Sequence, residues 1–154
     1  MEGFVTHHVR RTHEFVLGAE IDSVFHLFTP AGERLWADGW RPVFLYPPTG
    51  DTREGMVFTT DHDHEHTIWA LVELNPEHHR VRYVRVTPGS RFGFVEVACM
   101  EESADRTLVT VTYEITALTA AGNDYVASFG ESEYREMILS WQQDIEAFLA
   151  SSRT

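Results

Sequence analysis

The sequence predicts one α+β domain in which a curved antiparallel sheet of about seven strands wraps around a long C-terminal helix. Short segments rich in β-branched and aromatic residues follow one another through the middle of the chain, separated by turn residues. The segment Tyr134–Leu149 carries apolar residues three and four positions apart, a spacing typical of an amphipathic helix. Because the connections between the strand segments are short, we expect hairpins and therefore antiparallel pairing.

The first predicted element is a strand at about Val5–Leu17, followed by two short helices. Apolar residues between Ile21 and Phe28 share one helical face. Thr29-Pro30 resembles an N-cap followed by a proline at the first helical position, which opens a second helix through about Trp36. The terminal helix is predicted to begin between Asn123 and Tyr134, with a bend near Gly130. Six further strands are predicted at Trp40–Tyr46, Gly55–Asp61, His66–Leu74, Arg80–Thr87, Ser90–Met100 and Thr107–Leu118.

Composition limits the functions that the chain can have. Its 154 residues, 43% hydrophobic, are enough for a single domain spanning 1–154. The net charge of −12 argues against nucleic acid or an anionic membrane as a partner. All 12 basic residues are arginines, which excludes lysine Schiff-base chemistry and a P-loop. Cys99 is alone, Met1–Arg11 is polar, and no apolar run approaches the ~20 residues of a membrane span, so we expect a cytoplasmic protein without membrane insertion.

Strand register predicts which side chains face the helix. If Pro88-Gly89 is a two-residue turn, Tyr83 pairs with Phe94, and a six-residue loop after Met100 then pairs Phe94 with Tyr113. These aromatic residues would face the helix, and Cys99 would face away from it. Arg85 and Glu96 would also point inward, as polar anchors of an apolar pocket or as rim residues that reach water. The predicted pocket residues are Trp36, Trp40, Trp69, Tyr83, Arg85, Phe94, Glu96, Tyr113 and Trp141.

The order of these elements resembles the START-like superfamily, also called SRPBCC or the helix-grip fold. The resemblance covers Thr12–Leu149 and rests on FHLFTPAGERLWADGW (residues 25–40), GMVF (55–58), TIWALVELNPE (67–77) and TVTYEITAL (110–118). The run Glu33–Trp40 is similar to bacterial proteins described as polyketide cyclase/dehydrase-like. The resemblance implies a cavity between sheet and terminal helix that holds lipids, hormones or polyketides. The superfamily has no shared catalytic residue set, so the catalytic residues stay unknown.

Three local features allow two interpretations each. The run Asp61–His66 could place imidazoles on one side of a strand as metal ligands, but it lies between two strands, where a solvated turn is expected, so we assign no metal and no cofactor. Trp36 and Trp40 bracket the Asp38-Gly39 turn and could gate the pocket or support the core. Glu33 could be a buried acid or a surface residue.

Three functions are compatible with the sequence. The first is binding of a hydrophobic small molecule that is lipid, aromatic or polyketide-like. The second is a cyclase- or dehydratase-type enzyme, with Arg85, Glu96 and the tyrosines as candidate acids, bases or oxyanion partners. The third is a protein-interaction module that uses the acidic surface. A homodimer is compatible with the sequence, but no motif specifies one.

Overall fold

A computed structural model describes residues 4–152, so both ends of the predicted domain 1–154 lie outside the described residues. The strands are β1 (His8–Leu17), β2 (Val43–Tyr46), β3 (Val57–His62), β4 (Glu65–Asn75), β5 (Arg80–Thr87), β6 (Arg91–Ser103) and β7 (Arg106–Ala117). The helices are α1 (Ile21–Phe25), a 3₁₀ turn (His26–Phe28), α2 (Pro30–Glu33), α3 (Ala120–Ser128) and α4 (Glu131–Ser152). This arrangement confirms the predicted fold class.

All seven strands lie in one antiparallel sheet in the order β1-β7-β6-β5-β4-β3-β2. Successive strands from β2 to β7 are neighbours, and β1 adds to β7 at the edge. The core lies between the inner face of this sheet, the short helices and α4. Its completely buried side chains include Leu17, Phe58, Leu71, Val81, Val109, Val111, Ile138 and Ile145. No helix within residues 4–152 is long and apolar enough to cross a membrane.

The C-terminal region forms two helices that meet at the bend predicted near Gly130. The first, α3, begins earlier than predicted because Thr119 caps it, its hydroxyl accepting a hydrogen bond from the Gly122 N–H at 3.1 Å. A Cβ on Gly122 would lie 1.9 Å from the Ser90 carbonyl oxygen. The helix can therefore pack directly on the β5–β6 turn only because residue 122 is glycine.

The predicted register of β6 was wrong by one residue on both sides. Tyr83 pairs with Val95, and Val95 pairs with Tyr113, so β6 turns its other face inward. The first cause is the β5–β6 turn, where the Ser90 N–H donates to the Thr87 carbonyl and Gly89 has φ +77°, which makes a three-residue loop. The second is the β6–β7 hairpin, which has two loop residues and a register shift between Glu101 and Ser103 instead of a six-residue loop.

This correction exchanges the two faces of β6, so its side chains lie on the opposite sides of the sheet from those predicted. Cys99 is buried on the inner face, contrary to the prediction, and burial raises the pKa of its thiol to about 12. Phe92, Phe94 and Glu96 lie on the outer face. The two phenylalanine rings contact each other at 5.4 Å, and the Arg82 guanidinium lies 4.5 Å from the Phe94 ring centre. Stacking between arginine and an aromatic ring partly covers these apolar side chains from water.

Two boundaries near α2 also differ from the prediction. The helix ends at Glu33 rather than Trp36, and a turn follows in which the Ala37 N–H donates to the Glu33 carbonyl at 2.8 Å. The next strand begins at Val43 rather than Trp40, because Gly39 has φ +76° and reverses the chain there.

The contribution of α4 to stability can be tested at Ile145, which is completely buried between the helix and the sheet. Ile145→Ala should lower the free energy of unfolding by about 2–5 kcal/mol, since it removes buried apolar contacts and leaves a cavity. The neighbouring exposed Glu146 is the matched control, and Glu146→Ala should change stability by less than about 0.5 kcal/mol. Urea unfolding followed by circular dichroism measures both. Equal effects of the two substitutions would show that α4 does not pack as described.

Candidate functional site

The corner between the 3₁₀ turn and α2 forms one end of the candidate site. The Thr29 hydroxyl donates to the His26 carbonyl at 2.9 Å and accepts from the Gly32 N–H at 3.0 Å. A Cβ on Gly32 would lie 1.9 Å from the His26 carbonyl oxygen, so this tight cap requires glycine. The Thr29-Pro30 helix start predicted from the sequence is confirmed.

Three aromatic side chains donate hydrogen bonds to backbone carbonyls of this corner. The Trp36 indole N–H donates to the Leu27 carbonyl at 2.8 Å, and that of Trp40 donates to the Pro30 carbonyl at 2.9 Å. The Tyr83 hydroxyl, which comes from β5, donates to the Phe28 carbonyl at 2.7 Å. These bonds hold the rings at the ends of the helices while their apolar faces remain free for contact.

The rings surround a cavity of about 200 Å³ between the sheet and α4. Trp69 stacks on Phe58 at 5.6 Å between ring centres and meets Trp40 edge-on at 5.7 Å. Trp141 on α4 lies 5.7 Å from Trp36. The lining residues are Phe28, Glu33, Trp36, Ala37, Trp40, Phe58, Trp69, Tyr83, Arg85, Val95, Val97, Tyr113, Met137 and Trp141.

The two tyrosines of the cavity differ in their free hydrogen-bonding capacity. Tyr83 is committed to the Phe28 carbonyl, and burial raises the pKa of its hydroxyl well above the usual value. Among the described residues, the Tyr113 hydroxyl has no hydrogen-bond partner, and burial raises its pKa as well. At neutral pH the Tyr113 hydroxyl is therefore a neutral donor available to a molecule inside the cavity.

Glu33, at the end of α2, is the acidic side chain of the cavity. Within residues 4–152 its carboxyl group forms no ion pair and no side-chain hydrogen bond. Burial raises the pKa of this carboxyl from 4.5 to about 8, because apolar walls disfavour the charged form. Of the two interpretations that the sequence allowed, the structure favours the buried acid. Titration near neutral pH is typical of groups that transfer protons in enzymes.

Arg85 supplies the positive charge of the cavity. Its guanidinium carbon lies 5.2 Å from the ring centre of Trp69 and 5.2 Å from that of Tyr113. The side chain reaches Tyr113 on β7 by crossing Gly93 on β6, which pairs with Arg85 and has no side chain to obstruct it. Arg85 therefore has the inward orientation that the sequence predicted, although the register used to derive it was wrong for β6.

A second, open chamber of about 460 Å³ lies next to the cavity. The two share the lining residues Ala37, Trp40, Trp69 and Arg85, so these four residues form the boundary between them. Trp36 is buried against the corner, whereas Trp40 contacts both chambers. Trp40 therefore fits the role of a gate to the cavity, whereas Trp36 fits the role of a core support.

An ion pair between a buried arginine and a partly exposed glutamate closes one side of the outer chamber. Arg91 is 6% exposed and donates two hydrogen bonds to the Glu65 carboxylate, at 2.8 and 2.9 Å. These bonds lower the pKa of Glu65 below its usual value. The Arg91 guanidinium also lies 3.5 Å from the ring centre of Tyr125 on α3. The pair thus joins the β3–β4 hairpin to α3 across the sheet.

The histidine run forms the tip of the β3–β4 hairpin. Asp63 and His64 have φ of 48° and 68°, as in a tight two-residue turn, and His66 contacts Asp61 at 2.7 Å. Within residues 4–152, no three His, Cys, Asp or Glu side chains are placed to hold a metal ion.

Seven of the nine predicted pocket residues line the cavity, and their role in binding a ligand stays a prediction. Phe94 and Glu96 do not, since the one-residue register error placed them on the wrong face. The predicted set did not include the other seven lining residues, two of which are Glu33 and Ala37. Met137 could have been found, because it precedes Trp141 by one helical turn; Val95 and Val97 required the correct register. Phe28 and Phe58 are also among the missed residues.

Several solved structures have the same fold as this chain. Norcoclaurine synthase from Thalictrum flavum, solved with dopamine and hydroxybenzaldehyde, is 12% identical with a TM-score of 0.68, covering 97% of this chain and 90% of the enzyme. Major latex-like protein 151 from Panax ginseng is 15% identical with a TM-score of 0.67, covering 91% and 96%. DynU16, from the dynemicin biosynthetic locus, is 15% identical with a TM-score of 0.63, and the match covers 93% of this chain and 48% of DynU16. No protein-family model and no curated protein matches the sequence.

The chain therefore shares the fold of these proteins, and the helix-grip fold predicted from the sequence is confirmed. At these identities the likeness does not extend to activity.

The environment of Glu33 predicts a pH dependence of stability. Its pKa is about 8 in the folded protein and 4.5 when unfolded, so between these values only the folded state holds the proton. Stability should then fall as pH rises through this window, by up to about 1.4 kcal/mol per pH unit. Glu33→Gln removes this titration. The difference in unfolding free energy between the variant and the wild type should increase from pH 5 to 8, measured by urea unfolding; a constant difference would contradict the burial described.

Proposed function

We propose that the chain binds a small apolar molecule of one or two rings in the cavity between the sheet and α4. The observation that carries this proposal is the cavity itself, about 200 Å³ lined mainly by aromatic side chains, three of which have their polar atoms bonded to backbone. An engineered apolar cavity of roughly 150 Å³ in another protein remains dry and binds benzene. Release of a ring from water into such a space is favourable.

The size of the cavity favours a ring compound over a long-chain lipid. Pockets for drug-sized ligands measure roughly 300–1,000 Å³, which exceeds the inner cavity alone. The complex of norcoclaurine synthase with dopamine and hydroxybenzaldehyde supports the proposal, since both molecules contain one aromatic ring. Of the ligand classes expected from the sequence, aromatic and small polyketide-like molecules fit better than lipids.

Filling part of the cavity should weaken binding. Val95 lines it on β6, and Val95→Phe would occupy part of the space without removing a polar group. Affinity for indole, a neutral probe, should fall on the order of tenfold or more by isothermal titration calorimetry. The matched control is Val84→Phe, which places the same side chain on the outer face of neighbouring β5. Equal loss of affinity in both variants, or none in either, would count against this cavity as the binding site.

A second candidate function is proton-transfer catalysis in the same cavity, and the isolated carboxyl of Glu33 favours it. A group with a pKa of about 8 can donate a proton below that pH and accept one above it. The enclosed aromatic walls would hold a planar substrate next to this group. This candidate replaces Glu96, which faces outward, as the acid or base that the cyclase/dehydratase hypothesis requires.

This catalytic capacity can be tested with 5-nitrobenzisoxazole, a planar bicyclic compound. When a base removes its C3 proton, the electron pair of the C–H bond forms the nitrile and the N–O bond breaks to give a phenolate. The rate should rise with pH through about pH 8 as Glu33 ionises, and Glu33→Gln should abolish the acceleration. Asp38→Asn, at the outer chamber, is the control and should retain it. A rate that persists in Glu33→Gln would exclude Glu33 as the base.

Cytoplasmic location, a homodimer and an interaction module using the acidic surface stay predictions. The single buried cysteine supports a cytoplasmic location, and the net charge of −12 supports an interaction module. The cavity favours small-molecule binding over a purely protein-directed role, because a protein partner would need a complementary outer surface rather than an enclosed aromatic space.

A further inference from the structure

Arg85 is a cation at the boundary of the cavity without a counterion of its own. Within residues 4–152 its guanidinium forms no ion pair and no side-chain hydrogen bond, and its partly buried side chain contacts the rings of Trp69 and Tyr113. Aromatic faces stabilise a cation, but they leave the N–H donors of the guanidinium unused. An arginine that is partly removed from water usually has an acceptor for these donors.

The carboxylates near Arg85 are engaged elsewhere or are not ionised. Glu65 lies close enough for the charge of Arg85 to lower its pKa, but both of its oxygens accept hydrogen bonds from Arg91. Glu33 holds its proton below about pH 8. Of the acids on the outer chamber, Asp61 bonds to His66, Asp63 pairs with His62, and Asp38 forms no bond to Arg85.

The position of Arg85 is set by the sheet rather than by an acidic partner. It pairs directly with Trp69 on β4 and with Gly93 on β6. A Cβ on Gly93 would lie 3.6 Å from the Arg85 Cγ and Nε atoms, within van der Waals contact, so the arginine side chain passes directly over this glycine. The side chain therefore lies flat across β6 between the rings of Trp69 and Tyr113. Its planar guanidinium group is preorganised to bind a ligand.

We propose that Arg85 binds the carboxylate of the ligand, so that the molecule held by the cavity is a small aromatic carboxylic acid. The ring lies among Trp36, Trp40 and Trp141, and the carboxylate lies at the boundary with the outer chamber. This inference rests on the proposed function and names its ligand class. A guanidinium fork matches the two oxygens of a carboxylate. The acids lining the outer chamber, Asp38, Asp61, Asp63 and Glu65, disfavour a phosphate, whose second negative charge they would repel.

The test compares trans-cinnamate with cinnamamide, which has nearly the same shape and no charge, by isothermal titration calorimetry at pH 6.5. The wild type should bind cinnamate roughly tenfold or more tightly than the amide, because hydrogen bonds between charged groups are stronger than neutral ones. Arg85→Met keeps the length of the side chain and should remove this preference while retaining affinity for the amide. Arg85→Lys keeps the charge without the fork and should give an intermediate preference.

The matched control is Arg82→Met on the same strand, since Arg82 lies on the outer face against Phe94 and should leave the preference unchanged. Equal affinities of the wild type for acid and amide would overturn the inference and leave the proposed cavity intact. A preference that survives in Arg85→Met would also overturn it. Failure of the wild type to bind cinnamate, cinnamamide and indole would refute the proposed function itself, and this inference with it.

Discussion

The architecture of the cavity depends on three hydrogen bonds that end on carbonyls within residues 27–30, in one short helical corner. Two come from the indoles of Trp36 and Trp40, and one comes from the hydroxyl of Tyr83 on the sheet. A buried carbonyl left without a donor costs roughly 1–3 kcal/mol, so the corner and the rings stabilise each other. The bonds also fix the distance between the corner and the sheet. Bulky rings anchored at their polar ends cannot collapse into the space that they surround.

The same arrangement separates the structural polar groups from the chemically available ones. Trp36, Trp40 and Tyr83 have used their donors on the backbone, whereas Glu33, Arg85 and Tyr113 have not used theirs within the described residues. A site of this kind presents a large apolar surface and a few oriented polar groups, which is how small-molecule pockets combine affinity with selectivity. Solved structures that are 12–15% identical share the backbone arrangement, so the function of this chain has to be argued from the side chains that line its cavity.

The order and type of the elements could be predicted because they depend on local patterns. The periodicity of Tyr134–Leu149 and the alternation in Thr107–Leu118 specify a helix and a strand before any tertiary contact forms. The faces of β5 and β7 were predicted correctly, and only β6 between them was inverted. The Ser90 carbonyl in the β5–β6 turn accepts a hydrogen bond from the Leu118 N–H at 2.7 Å and packs against Gly122, which lies 32 residues later in the chain. No local pattern predicts these contacts.

The features of the candidate site likewise differ in whether local sequence patterns could predict them. The tryptophans and tyrosines of the cavity could be predicted because large rings in a small domain must be buried somewhere, and the fold leaves few places for them. The state of Glu33 could not, because its pKa depends on walls contributed by distant parts of the chain. The path of Arg85 across Gly93 is likewise a property of three paired strands rather than of a sequence motif.

All four tryptophans of the chain contact this one cavity. The tryptophan fluorescence of the protein therefore originates entirely from the walls of this cavity. Neighbouring rings such as Trp40 and Trp69, 5.7 Å apart, are close enough for excitation to pass between them. Emission from the unmodified protein thus reports the polarity and occupancy of this space directly. The tryptophans that line the cavity therefore also serve as an intrinsic fluorescent probe of it.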